Sequence, residues 1–288
     1  MVPGKFGALG FGVFVAAALM QSSVAFSADS SIDFYFANDA ILERPGAASI
    51  QEWTERCVAG GEFAEFATSF APDLKMSVDE RKAQAAKFDR AEAVRIATDA
   101  WRKANAALPQ GSLRVCIDLT HTADDFTRVV MGGISAVTAG RGRIILRVHP
   151  DADWKSVLPY VLAHEMHHSY WLQHHYDANS PFTLADYLVF EGRADYFAGR
   201  LFTHRAPWTT ALDTDAYAST WLAMSKNLST TDGEKLQAFM FGSREAAIPM
   251  WAGYSIGYRL VSKRMAQEPM LDLSAMTSAP ASVFMPDN

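Results

Sequence analysis

The pattern of apolar and polar positions changes character near the middle of the chain. Before it, short runs alternate at period two. Residues 113–119 (LRVCIDL) and 143–148 (RIILRV) read as strands, and residues 33–42 (DFYFANDAIL) read as a strand or an extended entry segment. Residues 48–57 read as a short helix broken by Gly60-Gly61. Residues 79–108 contain neither Gly nor Pro and read as one long helical stretch whose charges form a solvated face. The glycines of Met131-Gly132-Gly133 and Gly140-Arg141-Gly142 precede a strand, not a helix, so they predict a loop or hairpin and no phosphate-binding turn. After His149 the pattern is helical. Helices are expected at about 153–172, 183–202, 216–227, 232–241 and 253–267. Strands before the midpoint and helices after it, with no repeat and no low-complexity linker, predict an α+β fold in one domain over residues 28–288, with 28–108 as its N-terminal helical part.

Residues 1–27 stand apart from this pattern. Lys5 is followed by a 15-residue apolar and glycine run, 6–20, and then by a small-residue stretch, Gln21-Ser22-Ser23-Val24-Ala25-Phe26-Ser27. That order is the signature of a secretory signal peptide, with cleavage after Ala25 or Ser27. The run is short for a membrane span, so a cleaved signal is preferred over an uncleaved anchor. The expected product is exported, periplasmic or secreted, with no stable membrane span.

Composition narrows the chemistry. The formal charge of -6 supplies no basic face for nucleic acid. Two cysteines are too few for a disulfide scaffold or a cysteine-rich zinc ribbon, so any metal must rest on His, Asp and Glu. Whether Cys57 and Cys116 pair is left open by the sequence.

Five of the eight histidines fall between positions 164 and 175. Among them His164, Glu165 and His168 form H-E-x-x-H. On a helix, residues four apart share a face, so both imidazoles reach one cation. Glu165 sits about a quarter turn away, placed to take a proton from a water that the cation activates. Random placement produces this motif about once in a hundred such chains, so context has to decide. Val157, Leu158, Val161 and Leu162 mark a buried face that continues through Glu165 and His168. An ionised carboxylate on such a face needs a partner. Pro159 leaves two starts for the helix: a Ser156 cap, or a start near Asp153 with a kink. The bland alternative is a histidine-rich core helix that binds no metal.

A third ligand candidate is Glu191, which shares a helix face with Leu184, Leu188, Ala194 and Ala198. Asp195, one turn on, is placed to accept the free ring N–H of a ligand histidine and fix its tautomer. Small Gly192 and Ala194 allow this helix to pack closely against the first.

His-Glu-x-His-His, then Glu-Gly-x-Ala-Asp-Tyr-Phe-Ala at 191–198, then Gly253-Tyr254-Ser255-Ile256-Gly257-Tyr258 resemble the YjaZ-like family of predicted zinc-dependent proteases, and more broadly the gluzincin metallopeptidases. The resemblance runs from about residue 113 to the C-terminus. It implies a zincin-like fold, Zn2+ held by His164, His168 and Glu191, Glu165 as general base, and Asp195 as the partner of a ligand histidine. Arg193 stands where an apolar residue is expected, and Met166 where an aromatic one is. For a donor to the developing oxyanion, Tyr254 is favoured over Tyr258 and His204. His167 is expected to face away from the metal, and His174 and His175 to lie in solvent beyond the helix; His121 and His149 receive no role. The strand 143–148 is either an edge that pairs with substrate backbone or an interior strand. The expectation is an exported zinc peptidase acting on peptide or protein substrates. The alternative is a non-catalytic zinc-binding protein on a peptidase-like fold.

Overall fold

The computed structural model describes residues 30–286. The segment read as a signal peptide lies outside the described residues. Four strands, β1 (Ile32–Phe36), β2 (Leu113–Leu119), β3 (Ile134–Gly140) and β4 (Arg143–Val148), form one sheet in the order β1-β2-β4-β3. β1, β2 and β4 are parallel, and β3 is antiparallel to β4. Helices α1 (Ala37–Glu43), α2 (Ala47–Trp53), α3 (Ala64–Ala67), α4 (Val78–Lys87) and α5 (Arg90–Ala107) fill the crossover from β1 to β2. The second half is helical: α6 (Trp154–His174), α7 (Leu184–Leu201), α8 (Thr214–Met224), α9 (Gly233–Phe241), α10 (Ala252–Gln267) and α11 (Leu273–Ser278). This is the mixed α and β architecture expected, with the small sheet in the N-terminal half. None of the helices among the described residues is long and apolar enough to cross a membrane.

Several boundaries differ from expectation for physical reasons. Residues 33–42 are strand only to Phe36; Ala37 then opens α1, whose Ala37, Ala40 and Ile41 bury themselves. The stretch 79–108 is two helices, because the Asp89 carboxylate accepts the Glu92 backbone N–H and starts a new helix there. Residues 48–57 continue from α2 into a wider turn, Thr54–Val58. The glycine-flanked connection is a hairpin, but 134–140 of it is a full strand, with Gly133 and Gly142 at positive φ on either side.

Both faces of the sheet are covered. Val115, Ile117, Ile144 and Leu146 pack with α5 and α6, where α5 presents the small stripe Ala93, Ala97, Ala100 and Ala104. On the opposite face Cys116, Val137 and Ile145 meet Trp53 and Val58. The alternation in β2 therefore does not mark a solvent face. Its polar Asp118 is buried, which raises the carboxyl to about 6 against the opposing pull of Arg81, 3.8 Å away.

Cys57 and Cys116 form a disulfide, which settles the pairing left open. It ties residues 54–58 to β2 across a separation of 59 positions, and Phe63 N–H then donates to Ala139 O at 3.0 Å. Replacing both cysteines by serine is expected to lower stability by about 3 kcal/mol, read as a shift of the urea midpoint, because the unfolded chain regains the loop entropy. A midpoint unchanged in the double variant would contradict this.

Close packing of α7 on α10 fixes the depth of the functional site. A Cβ at Gly192 would lie 2.2 Å from Gly257 O, and one at Gly257 would lie 2.0 Å from Leu188 O. Gly192 therefore faces α10, and not α6 as expected. Gly257→Ala must push two backbones apart, and a loss of about 1–3 kcal/mol is expected in chemical denaturation. Gly199, with open space around its Cα, is the control position.

The C-terminus folds back on α7. Arg193, where an apolar residue was expected, is buried and donates to Thr277 O at 3.1 Å and to Ala279 O, with its guanidinium 4.8 Å over the Phe284 ring. Burial lowers its pKa to about 10. The paired carbonyls explain how a cation is tolerated there. Met166 is 1% exposed and fills the core.

Candidate metal centre

β4 ends at Val148, and a tight turn leads into α6 with Asp153 at its N-cap, the second of the two starts considered. Ser156 Oγ donates to Asp153 Oδ2 at 2.7 Å and is not itself the cap. Apolar side chains on most sides bury α6 from Val157 to Ser169 apart from Pro159, so His164, Glu165 and His168 lie inside the molecule at 5–6% exposure. α7 begins with a capping box. Thr183 Oγ1 accepts the Asp186 N–H, and the Asp186 carboxylate accepts the Thr183 N–H. Two turns later α7 presents Glu191, also 6% exposed.

The three donors converge. His164 Nε2 and His168 Nε2 are 3.0 Å apart, and Glu191 Oε2 lies 3.2 Å from the first and 3.3 Å from the second. Ligands at roughly 2.0–2.1 Å from a tetrahedral zinc stand about 3.3 Å from one another. The triangle therefore has the size and the nitrogen–nitrogen–oxygen composition of such a site, and these three residues are a group able to hold a metal ion.

The two histidines are held differently. His164 Nδ1–H donates to Asp195 Oδ1 at 2.9 Å, which leaves its Nε2 lone pair for the metal. Asp195 is fully buried and also accepts from Tyr160 OH at 2.9 Å and Trp208 Nε1 at 2.9 Å, so its own position is fixed by three donors. His168 is held by packing, its ring stacked on Phe190 at 3.9 Å between centroids. Without a cation, burial works to lower the His164 pKa, but Asp195 and Glu191 raise it well above the ordinary imidazole value. Burial likewise works to raise Glu191, yet His168 and His164 hold it down at about 2.

Glu165 is beside the triangle and not part of it. Its Oε2 accepts from Thr138 Oγ1 at 2.7 Å, across from β3. Thr138 has no signal in the sequence: its contact with Glu165 spans 27 positions and exists only because β3 packs on α6. Thr138→Val, nearly isosteric but without the donor, is expected to lower kcat about tenfold with KM little changed, and Thr138→Ser to restore it. Equal activity in the valine and wild-type proteins would remove the role.

These groups form the floor of a cavity of about 470 Å³. Tyr254 lines it and Tyr258 does not, although the two are one turn apart on α10. Burial, and then the charge of Glu191, raise the Tyr254 phenol well above its usual value, so it keeps its proton. Tyr187 also lines the cavity; it lies one turn before Glu191, and that spacing was a signal available in the sequence. His204 packs edge-on to Tyr160 and is not among the cavity residues. His167 faces away, with Nε2 3.2 Å from Thr277 Oγ1. His174 and His175 do not lie in a loop beyond the helix as expected: α6 runs on to His174, which is exposed, and His175 is its half-buried C-cap. His149 is fully buried in the turn before α6, where its Nδ1 accepts the Asp151 N–H.

β4, paired on both sides, is interior; β1 and β3 are the two edges, and β3 is the one beside the site. His149 N–H donates to Gly133 O, which sets the ladder so that the backbone groups of Ile134, Ala136 and Thr138 point away from β4. None of these has a backbone partner on that side among the described residues, and all three residues line the cavity.

A mixed sheet followed by a helix-borne H-E-x-x-H and a glutamate from the next helix defines a class: proteins with a two-histidine, one-carboxylate candidate zinc site. Within that class the chain belongs to the family described as "Predicted Zn-dependent protease (DUF2268)", whose model matches residues 93–286. The "Uncharacterized protein YjfC" of Bacillus subtilis (strain 168) is 29% identical over 136 residues, which cover 44% of this chain and 46% of that protein. The chain thus spans about half the length of the curated relative it matches. No solved structure matches it.

Proposed function

We propose that the protein is an exported, zinc-dependent peptidase of gluzincin type. The observation that carries this reading is the convergence of His164 Nε2, His168 Nε2 and Glu191 Oε2 to within 3.0–3.3 Å on the floor of a cavity, with a second carboxylate, Glu165, alongside but outside the triangle. A purely structural site has no need of that extra carboxylate.

Zinc, when bound by the three residues, supplies a Lewis acid that polarises a carbonyl and acidifies water. The protein supplies the rest. Glu165, steadied by Thr138, accepts the proton of the attacking water and passes it to the departing amine nitrogen. Asp195 keeps His164 in the tautomer that presents Nε2. Tyr254, protonated at neutral pH and facing the same cavity, donates to the carbonyl oxygen as negative charge develops. The open side of β3 offers hydrogen-bonding groups at Ile134, Ala136 and Thr138 to an extended substrate backbone.

Export is supported by the charged, apolar and small-residue order of residues 1–27 and by a disulfide of the kind that persists in oxidising compartments. The function is tested by incubating a mixed peptide pool with the zinc-loaded protein and with its Glu165→Gln variant, reading the products by mass spectrometry. Absence of any difference between the two removes the mechanism.

A further inference from the structure

The cavity above the three donors has an apolar wall. Half of its lining side chains are aromatic, including Phe63 and Phe70 from the segment after α2, Phe182 before α7, and Trp251 before α10. Its ionisable groups other than phenols are His164, Glu165, His168 and Glu191; no Lys, Arg or Asp lines it among the described residues. All four are engaged by the chemistry proposed above. Nothing remains to pair with the terminal ammonium or carboxylate of a peptide, or with a charged side chain, and burying such a charge unpaired is strongly unfavourable.

The rim continues the same character. Phe66 and Phe126 are 54% and 49% exposed, although both line the cavity. They stand toward opposite ends of β3. Thr127, next to Phe126, bonds Ser135 through their hydroxyls at 2.9 Å, and Phe63, on the Phe66 side, bonds Ala139 O at 3.0 Å. The open backbone groups of Ile134, Ala136 and Thr138 lie between. Exposed phenylalanines on either side of a strand edge that is open at Ile134, Ala136 and Thr138 fit an extended chain that runs past the site and continues beyond it on both sides.

We propose that the substrates are extended polypeptide segments cut at an internal bond flanked by bulky apolar or aromatic side chains, so that the protein is an endopeptidase for apolar sequence. This rests on the peptidase reading, and the test separates the two. In the first arm, zinc-loaded full-length Glu165→Gln protein is titrated with end-blocked fluorescent octapeptides. One is rich in Phe and Leu, and its counterpart carries Lys and Glu at the same positions. The apolar peptide is expected to bind about tenfold tighter or better. Adding Phe66→Ser or Phe126→Ser, both at exposed positions that do not support the core, should each weaken it about three- to tenfold.

In the second arm, the wild-type protein digests a mixed peptide pool. Cuts are expected inside the peptides, with apolar residues within two positions of the bond. Tight apolar binding without any cleavage sinks the peptidase reading and leaves the apolar-segment specificity standing. Cleavage confined to terminal residues, cleavage directed by charged residues, equal binding of the two octapeptides, or indifference to both serine variants overturns the proposal even where hydrolysis occurs.

Discussion

Glu165→Gln protein is expected to retain stoichiometric zinc while losing kcat on the order of a thousandfold, with KM nearly unchanged. The geometry explains why the two effects separate. The candidate zinc donors are His164 Nε2, His168 Nε2 and Glu191 Oε2, and Glu165 contributes no atom to that triangle. Glutamine has the shape of glutamate, and its amide oxygen still accepts from Thr138 Oγ1, so the side chain keeps its place. What disappears is the ability to take a proton. The checks are metal analysis on protein purified without an affinity tag and single-peptide turnover. Unchanged turnover would reject Glu165 as the base. Loss of zinc together with activity would show that the carboxylate supports the site instead. Full zinc with no cleavage by the wild-type protein itself would favour a non-catalytic zinc-binding protein.

Glu191→Ala is expected to weaken zinc more than a hundredfold, because it removes one of three donors and leaves two imidazoles to hold the ion. The wild-type reference has its own pH dependence. In the cation-free protein, burial lowers the His164 pKa, but Asp195 and Glu191 outweigh it and raise it well above the ordinary imidazole value. At neutral pH the cluster therefore holds a proton that zinc must displace. Apparent affinity should rise with pH through neutrality, and zinc uptake should release protons. Calorimetry in buffers of different ionisation enthalpy reads that release directly. With Glu191 removed, one of the groups raising His164 is gone, so the released fraction should shrink. A zinc affinity independent of pH between 6 and 8 would contradict the assignment of a protonated cluster.

The candidate site was legible in the sequence to the extent that it is built on helices. His164, Glu165 and His168 lie within one helical turn, so their spacing alone puts them together. Glu191 and Asp195 were readable as one face of a second helix, because Leu184 and Leu188 mark its apolar side. The meeting of the two helices was not readable from spacing. It depends on the Asp195 carboxylate gathering His164, Tyr160 and Trp208, groups spread over 48 positions (208 − 160). Gly192 shows the same limit: its smallness was evident, but that it serves contact with α10 is a property of the packed structure.

The strands were less legible. Residues 134–140 sit among glycines and small side chains, which weaken the signal of a strand. The segment becomes β3 because β4 supplies its hydrogen bonds and α6 covers one of its faces. That in turn makes β4 interior, moves the open edge to β3, and places Thr138 on Glu165.

By itself, the sequence determined the helix that carries the candidate metal ligands, the two carboxylates of the following helix, the order of strands before helices, and the exclusion of cysteine-based metal sites. Each of these depends on side-chain type and on spacing within a few residues, which a helix or strand converts directly into geometry. The tertiary structure alone decided which edge is open, which tyrosine enters the cavity, that Cys57 meets Cys116, and that the cavity wall is aromatic and uncharged. Those depend on contacts between residues tens of positions apart, and they are fixed only when the elements pack.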